Sequence, residues 1–289
     1  MKINNCSPSS INSYRFCPFQ YYLNKILAIE SPSGKAATIG KIIHRTFELM
    51  ARLKKVGKTN VDPLWLLNRS FDEYHHLDLR KTTSKGESAD YKRLKESINK
   101  IINNQYYNPY NLEVVDVEKW FELEFPGDEW KTDNGQFKMR GVIDLIHKID
   151  NDTIEIIDWK NGKQSDLKTM IKKDFYYLLK DIQPRLYHLM CNILLPQYKN
   201  ILITIYYINE DGPITLAFNQ EDTISTINYI WKFFNTVKSD TLIRRNRTWK
   251  CKMCGYYKNG ICDKVWSDLS VMGEKYIICK YKGIDLKNA

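Results

Sequence analysis

The chain is poor in the features that would place it in several large classes. Histidine occurs only five times in 289 residues. No apolar run approaches the 18 residues that would suggest a membrane span. No G-x4-G-K-[ST] loop is present, so any nucleotide-driven motor must be another chain. There is no internal repeat and no low-complexity linker, and a single domain over 1–289 is expected. The seven cysteines are odd in number and scattered, with no secretory leader before them, which argues against a disulfide framework. The expectation is a reducing, cytoplasmic compartment in which clustered cysteines hold a metal. Acidic residues are also in deficit, 34 against 44 Lys+Arg, for a net charge of +10. A surplus of that size favours a polyanionic partner such as nucleic acid.

What is present reads as an α/β chain. Residues 7–30 open with Ser and Pro in cap and first-turn positions, and Cys17-Pro18 should end or kink the helix. Residues 36–55 show the clearest helical period, through Ile39, Ile42, Ile43, Phe47, Met50 and Leu53. Gly40, His44 and Glu48 form a second stripe on that helix, the glycine permitting close approach of another backbone. Residues 56–112 read as a polar helical insertion, with no strong stripe between Arg80 and Lys100. Strands are expected over Val114 to Phe125, in the hairpin Lys138 to Lys163, over 200–208 and over Ile214 to Phe218. Helices are expected over 168–195 and 221–238. The order implies a mixed sheet flanked by helices.

The hairpin KMRGVIDLIHKIDNDTIEIIDWKNGK carries the sharpest signal. Asp150-Asn151-Asp152 is turn chemistry. If Ile149 pairs with Thr153, Asp144 falls directly opposite Asp158, with Cβ atoms roughly 4.5–5.5 Å apart. Lys160 shares their face by strand alternation. Two carboxylates facing each other in apolar surroundings are repulsive unless a cation lies between them. A divalent ion with oxygen ligands is the cheapest explanation. A one-residue slip would turn Asp158 and Lys160 away from Asp144.

The tail holds Cys251, Cys254 and Cys262 as C-x2-C-x7-C in a basic, aromatic, loop-like segment, about 244–279. C-x2-C lets two thiolates grip one zinc or iron–sulfur centre. Cys17 is the natural fourth ligand if the two ends of the chain meet, with Cys6, Cys191 and Cys279 in reserve. Arg244, Arg245, Arg247 and Lys250 are placed to touch phosphates. Trp249, Tyr256 and Tyr257 could stack on bases or pack around the centre.

Taken in order, Ser9-Ser10-Ile11 through Tyr14, Cys17-Pro18-Phe19-Gln20-Tyr21, Gly40-x3-His44-x3-Glu48, Gly141-Val142-Ile143-Asp144, Asp158-Trp159-Lys160, Gln183-x3-Tyr187 and the tail cysteines are similar to the motif series of a family. The chain resembles PD-(D/E)XK nucleases of the RecB-like exonuclease group, including the iron–sulfur nucleases of CRISPR adaptation. The resemblance implies a restriction-endonuclease-like core with a cysteine-liganded cluster joining the N- and C-terminal regions. It implies a DNA exonuclease of recombination or repair using Mg2+ or Mn2+, acting on ends or single strands and in some relatives partnered by a helicase. By the same resemblance His44, Asp144, Asp158 and the Trp159 carbonyl hold the metal. Lys160 handles the attacking water, and Gln183 and Tyr187 position DNA. Cys17, Cys251, Cys254 and Cys262 would bind [4Fe–4S] rather than zinc, although relatives more often have about five residues in the last gap. The competing expectation is a catalytically inactive DNA-binding subunit of the same fold.

Overall fold

The computed structural model describes residues 3–74, 78–165, 171–210 and 212–283. In chain order the principal elements are β1 (Asn5–Cys6), α1 (Pro8–Phe16), α2 (Lys35–Lys55), α3 (Pro63–Glu73), α4 (Ala89–Ile102), β2 (Val114–Glu124), β3 (Lys138–Lys148) and β4 (Thr153–Lys160). They are followed by α5 (Phe175–Leu178), α6 (Ile182–Leu194), β5 (Asn200–Tyr207), β6 (Gly212–Ala217), α7 (Gln220–Ser239), α8 (Ile261–Met272) and α9 (Glu274–Tyr281). The architecture is α/β, with a mixed sheet and flanking helices as expected. No helix among the described residues is long and apolar enough to cross a membrane.

The chain forms two compact units, one of Gly34–Phe121 and Gly141–Thr226, the other of Met1–Ser33, Glu122–Arg140 and Ile227–Ala289. In the larger unit β3 and β4 pair antiparallel, β4 and β5 parallel, and β5 and β6 antiparallel, while β2 pairs with β3. A parallel β4–β5 pair requires a crossover, and α5 and α6 provide it. Strand β4 is buried along almost its whole length, as an inner strand covered on both faces must be. Helix α2 buries Ile42, Ile43, Phe47 and Met50 in one core with Leu145, Ile157 and Trp159. Phe47 meets the Trp159 ring at 4.9 Å between centroids. Full burial of side chains of this size is worth about 1.5–3 kcal/mol each.

Two expectations fail in this unit. Helix α4 has a clear stripe, with Tyr91, Leu94, Ile98 and Ile101 buried, so the charged run is one face of a packed helix. Gly40 admits no neighbouring backbone: a Cβ there would meet nothing within 4 Å. The close glycine is Gly141, where a Cβ would lie 3.1 Å from the Phe121 ring.

In the smaller unit β1 pairs parallel with the first residues of β3, Asn5 with Lys138 and Cys6 with Met139. Ser7 caps α1 and exchanges hydrogen bonds with Ser10 in a capping box. The helix ends at Cys17, which is extended, and Pro18 starts a new turn, as the Cys-Pro pair predicts. The two ends of the chain meet here. Phe19 N donates to Arg244 O at 3.0 Å. The Tyr256 hydroxyl donates to Ile29 O at 2.6 Å, and Tyr14 donates to Asp240 at 2.6 Å. Contrary to the loop-like reading of the tail, Cys262 lies in helix α8, whose Ile261 and Val265 join Phe19, Leu23 and Ile277 in a second core.

Candidate active site

The hairpin register is the one that alternation predicts. Leu145 pairs with Ile157, Ile146 with Ile156, His147 with Glu155 and Lys148 with Ile154. The Ile149 amide donates to Thr153 O at 3.0 Å, and Asp152 N bonds to the Asp150 carboxylate across the turn. Continuing the same pairing by one step sets Asp144 opposite Asp158. Three elements then converge on the two carboxylates. Helix α2 brings His44 Nδ1 to 3.0 Å from Asp144 Oδ2. The end of β4 brings Lys160 Nζ to 2.6 Å from Asp158 Oδ2. Helix α6, capped by Asp181 on the Gln183 amide, presents Gln183. Its Oε1 accepts from Lys160 Nζ at 3.4 Å, and its Nε2 donates to the Tyr187 hydroxyl at 2.9 Å. His44, Asp144, Asp158, Lys160, Gln183 and Tyr187 thus form one group.

The electrostatics of this group are unsatisfied. Asp158 is only 3 % exposed. Neither Asp144 Oδ2 nor Asp158 Oδ2 has a partner in hydrogen-bonding geometry, despite the nearby imidazole and ammonium. Burial raises the Asp158 carboxyl to about 6, against the pull of Lys160 and with the Asp144 charge adding. Burial also works to raise Asp144, but the His44 and Lys160 charges outweigh it and hold that carboxyl below its usual range. A protonated Asp158 can donate to Asp144, so the two acids titrate as a pair. His44 is raised to about 9; burial opposes its charge, and the Asp144 carboxylate more than restores it. Lys160 is likewise raised: burial opposes its charge, and Asp158 outweighs burial. Tyr187 is pushed far up by burial and by both aspartates, so its phenol stays neutral and can donate. Trp159 turns its side chain to the opposite face of β4, into the core, so only its main chain is available at this group.

Sequence reasoning missed Glu118. It lies within β2 with φ +48°, a left-handed backbone that costs a non-glycine residue of order 1–3 kcal/mol. Its carboxyl is raised to about 7, by burial first and then by the charges of Asp144 and Glu48. The pattern VVDVEKWFELEF contains an acid there, but nothing in the pattern marks the left-handed turn of the backbone. Glu48, the third member of the helical stripe, is held by ion pairs to Arg45 at 2.9 Å and Arg52 at 2.8 Å.

In the smaller unit Cys17, Cys251, Cys254 and Cys262 line one pocket together with Arg245. Burial raises the Cys254 thiol, with Cys17 and Cys251 adding to the effect. Burial raises Cys262 to about 11, and the Arg245 charge pulls it back. Among the described residues no three His, Cys, Asp or Glu side chains stand in ready metal-holding geometry. The reserve cysteines are elsewhere: Cys6 and Cys191 are buried, and Cys279 is exposed on α9. The tail arginines are engaged by acids. Arg244 pairs with Asp240 at 2.9 Å, and Arg245 and Arg247 pair with Asp263 at 2.6 and 2.8 Å. The Arg245 side chain is 7 % exposed, and its guanidinium lies over the Trp266 ring. Lys250 lies over Phe16. Tyr256 is buried, so it packs rather than stacks on a base, while Trp249 is exposed.

Comparison with known proteins places the chain in a family. A sequence model of the PD-(D/E)XK nuclease superfamily matches residues 5–263. The structure is similar to that of a candidate exonuclease from Eubacterium rectale, with a TM-score of 0.51 and 13 % identity over 86 % of this chain and 92 % of that one. A second solved structure, SSO0001, aligns with a TM-score of 0.33 and 11 % identity over 83 % of this chain and 91 % of its own, too low a score to argue from.

Proposed function

Because the chain belongs to the PD-(D/E)XK nuclease superfamily, we propose that the Asp144/Asp158/Lys160 group hydrolyses DNA phosphodiesters, with Mg2+ or Mn2+, as an exonuclease acting on ends or single strands. The observation that carries the reading is the pair of opposed carboxylates, Asp144 and Asp158, whose buried Oδ2 atoms lie 3.0 Å from His44 Nδ1 and 2.6 Å from Lys160 Nζ without making an aligned hydrogen bond. Buried like charges set against each other are a standing cost that a cation removes. The donor set is oxygen-rich, as Mg2+ or Mn2+ prefers, and the single imidazole of His44 leans toward Mn2+. His44, Asp144, Asp158 and the Trp159 carbonyl are the groups that would hold the ion. When bound, it supplies neutralisation of the phosphoryl oxygens and of the leaving alkoxide.

The remaining work falls to this chain. Lys160, kept charged by Asp158, orients the attacking water and steadies developing negative charge. Gln183 fixes the lysine head from α6, and Tyr187 holds the Gln183 amide. Both also face the DNA backbone in this reading. Arg244, Arg245, Arg247 and Lys250 belong to the DNA side of the cysteine pocket. The strong pairing of Arg245 with Asp263 gives it more of a scaffolding share. The four cysteines of the pocket are the residues that would hold a [4Fe–4S] cluster, the thiol count being four and Arg245 favouring the thiolate form of Cys262. A brown protein supports the cluster, whereas a colourless protein carrying zinc replaces it. Placement in recombination or repair beside a separate helicase follows from the same reading.

The test is degradation of 5′- and 3′-end-labelled DNA with Mn2+ by wild type and by Lys160→Ala. Loss of an electrostatic and water-orienting group should lower the rate by about 10²–10³. Equal degradation by the variant sinks the mechanism. Salt-sensitive DNA binding with no turnover by wild type would make the chain an inactive binding subunit.

A further inference from the structure

Past the end of β4 at Lys160, a later segment of the chain returns to it. Ser165 bridges back to Lys172 in antiparallel pairing. Lys173 N donates to Gln164 O at 2.9 Å, and Gln164 Nε2 donates to Lys173 O at 3.0 Å. The returning segment is thus tied to residues only four places past Lys160, a reach of at most roughly 14 Å of extended chain. It leads directly into α5, which Asp174 caps and which is followed by Asp181 and α6. Arg185 Nε donates to Leu179 O at 2.7 Å, fixing the α5–α6 junction. The segment is therefore tied to β4, which carries Asp158 and Lys160, and to α6, which carries Gln183 and Tyr187.

Its exposed surface is unlike that of a solvated loop. Phe175 is 43 % and Tyr176 73 % exposed, with ring centroids 5.7 Å apart and planes at 87°. Ile171 beside them is also exposed. Leu178 alone turns inward to anchor the turn. Lysines flank the two rings in the chain: Lys163, Lys172 and Lys180 are exposed, and Lys173 Nζ lies over the ring of the next residue, Tyr177, at 5.9 Å. Large aromatic area exposed among lysines, next to a centre that acts on phosphodiesters, has a charge complement in phosphate and a shape complement in a flat base. Paired bases hide their faces in the duplex stack, so only an unpaired strand offers both at once.

We infer that Phe175 and Tyr176, tied close to the end of β4 and flanked in the chain by exposed lysines, form a base-stacking platform that takes single-stranded DNA beside the nuclease centre. The inference rests on the nuclease reading and narrows its substrate to an unpaired strand. Stacking on the rings positions the strand, while Lys163, Lys172 and Lys180 meet its phosphates. Tyr176 supplies the more accessible face and Phe175 its edge-on support.

The experiment is fluorescence anisotropy of a labelled oligothymidylate of about fifteen nucleotides with the full-length protein in chelator, where nothing is cleaved. Phe175→Ala/Tyr176→Ala should bind at least tenfold more weakly, with the slope of log affinity against log salt unchanged, since stacking releases no counterions. Blunt duplex of the same length should bind both proteins alike. Phe175→Leu/Tyr176→Leu keeps the apolar area and removes the flat faces, and it should lose as much. Unchanged single-strand binding, or equal loss on duplex, overturns the platform. So does light scattering that shows a wild-type dimer split by the double alanine variant, which would assign the patch to a second copy of the chain. Nuclease failure reads separately: wild type inert toward DNA with Mn2+, yet binding the oligonucleotide through these rings, would overturn the catalytic reading and keep the platform.

Discussion

The two faces of the β3–β4 hairpin carry the same kind of residue in opposite conditions. On one face Asp144 lies opposite Asp158, and each keeps an oxygen without a hydrogen bond. On the other, three residues along, His147 pairs with Glu155. There the imidazole donates to Glu155 Oε2 at 2.5 Å, the Thr204 hydroxyl donates to Glu155 Oε1, and Thr204 and Thr215 share a hydrogen bond at 2.8 Å. Glu155 is buried like Asp158, at 7 % and 3 % exposure. Burial therefore does not distinguish a site from a scaffold, and neither does a cationic partner, since His44 and Lys160 stand by the aspartates as His147 stands by Glu155; the facing of two carboxylates does. A buried acid with both oxygens hydrogen-bonded strengthens the sheet, and two buried acids set against each other favour a cation between them.

The comparison breaks most sharply if each face is neutralised in turn. Asp158→Asn should reduce DNA cleavage by at least about 10³-fold, more than any single donor, since it removes a cation ligand and the partner that keeps Lys160 in place. The same variant costs Lys160 its ion pair but also removes one of two opposed charges, so the metal-free protein should lose less stability than it does on losing Glu155. End-labelled DNA assays and chemical denaturation in chelator check the two halves. If the variant unfolds readily, the acids are structural and the contrast between the faces is lost. Glu155→Ala should do the reverse. It leaves His147 and Thr204 buried without their acceptor, at a cost of about 3 kcal/mol in unfolding free energy. Activity per folded molecule should remain within a few fold of wild type.

Much of this contrast was legible in the residues. The apolar runs in VIDLIHKI and TIEIIDWK, with Asp-Asn-Asp between them, imply the hairpin and its register, in which a one-residue slip would turn Asp158 and Lys160 away from Asp144. Strand alternation puts Asp144 and Asp158 on one face and His147 and Glu155 on the other. The helix bearing His44 follows from its 3.6-residue period. What escaped depends on contacts distant in sequence. The stripe on α4 is diluted by lysines whose stems lie beside buried Tyr91 and Leu94, so its period is weak until a core is supplied to face it. Helix α8 begins at Gly260, in a left-handed conformation, and a C-x7-C count treats the intervening residues as loop. Gly40 looks like a packing glycine by its spacing, yet the tight approach is at Gly141 against Phe121, a contact no local pattern encodes. Glu118 is the largest omission, since a charged residue in an alternating strand reads as solvent-facing.

Glu118 gives the finest test of the contrast, because it adds a third acid to the unsatisfied face without joining the opposed pair. In the folded chain its carboxyl is raised to about 7, by burial, then Asp144, then Glu48, against an ordinary value of about 4.3. A raised carboxyl means that the folded state binds the proton more tightly than the unfolded one. Its effect on stability is therefore nil below the unfolded value, grows as pH rises from about 4.3 to about 7, and is fully felt above. Glu118→Gln carries no such charge, so it should match wild type near pH 4.5 and exceed it near pH 8 by about 2 kcal/mol, a figure discounted for the partial exposure of the side chain. The glutamine keeps the left-handed backbone, so relief of strain cannot produce the difference. Denaturant titrations of metal-free protein at the two pH values measure it. A gain of equal size at both would show that the amide merely packs better, and that the crowding of Asp144 by negative charge is not what distinguishes this face from the other.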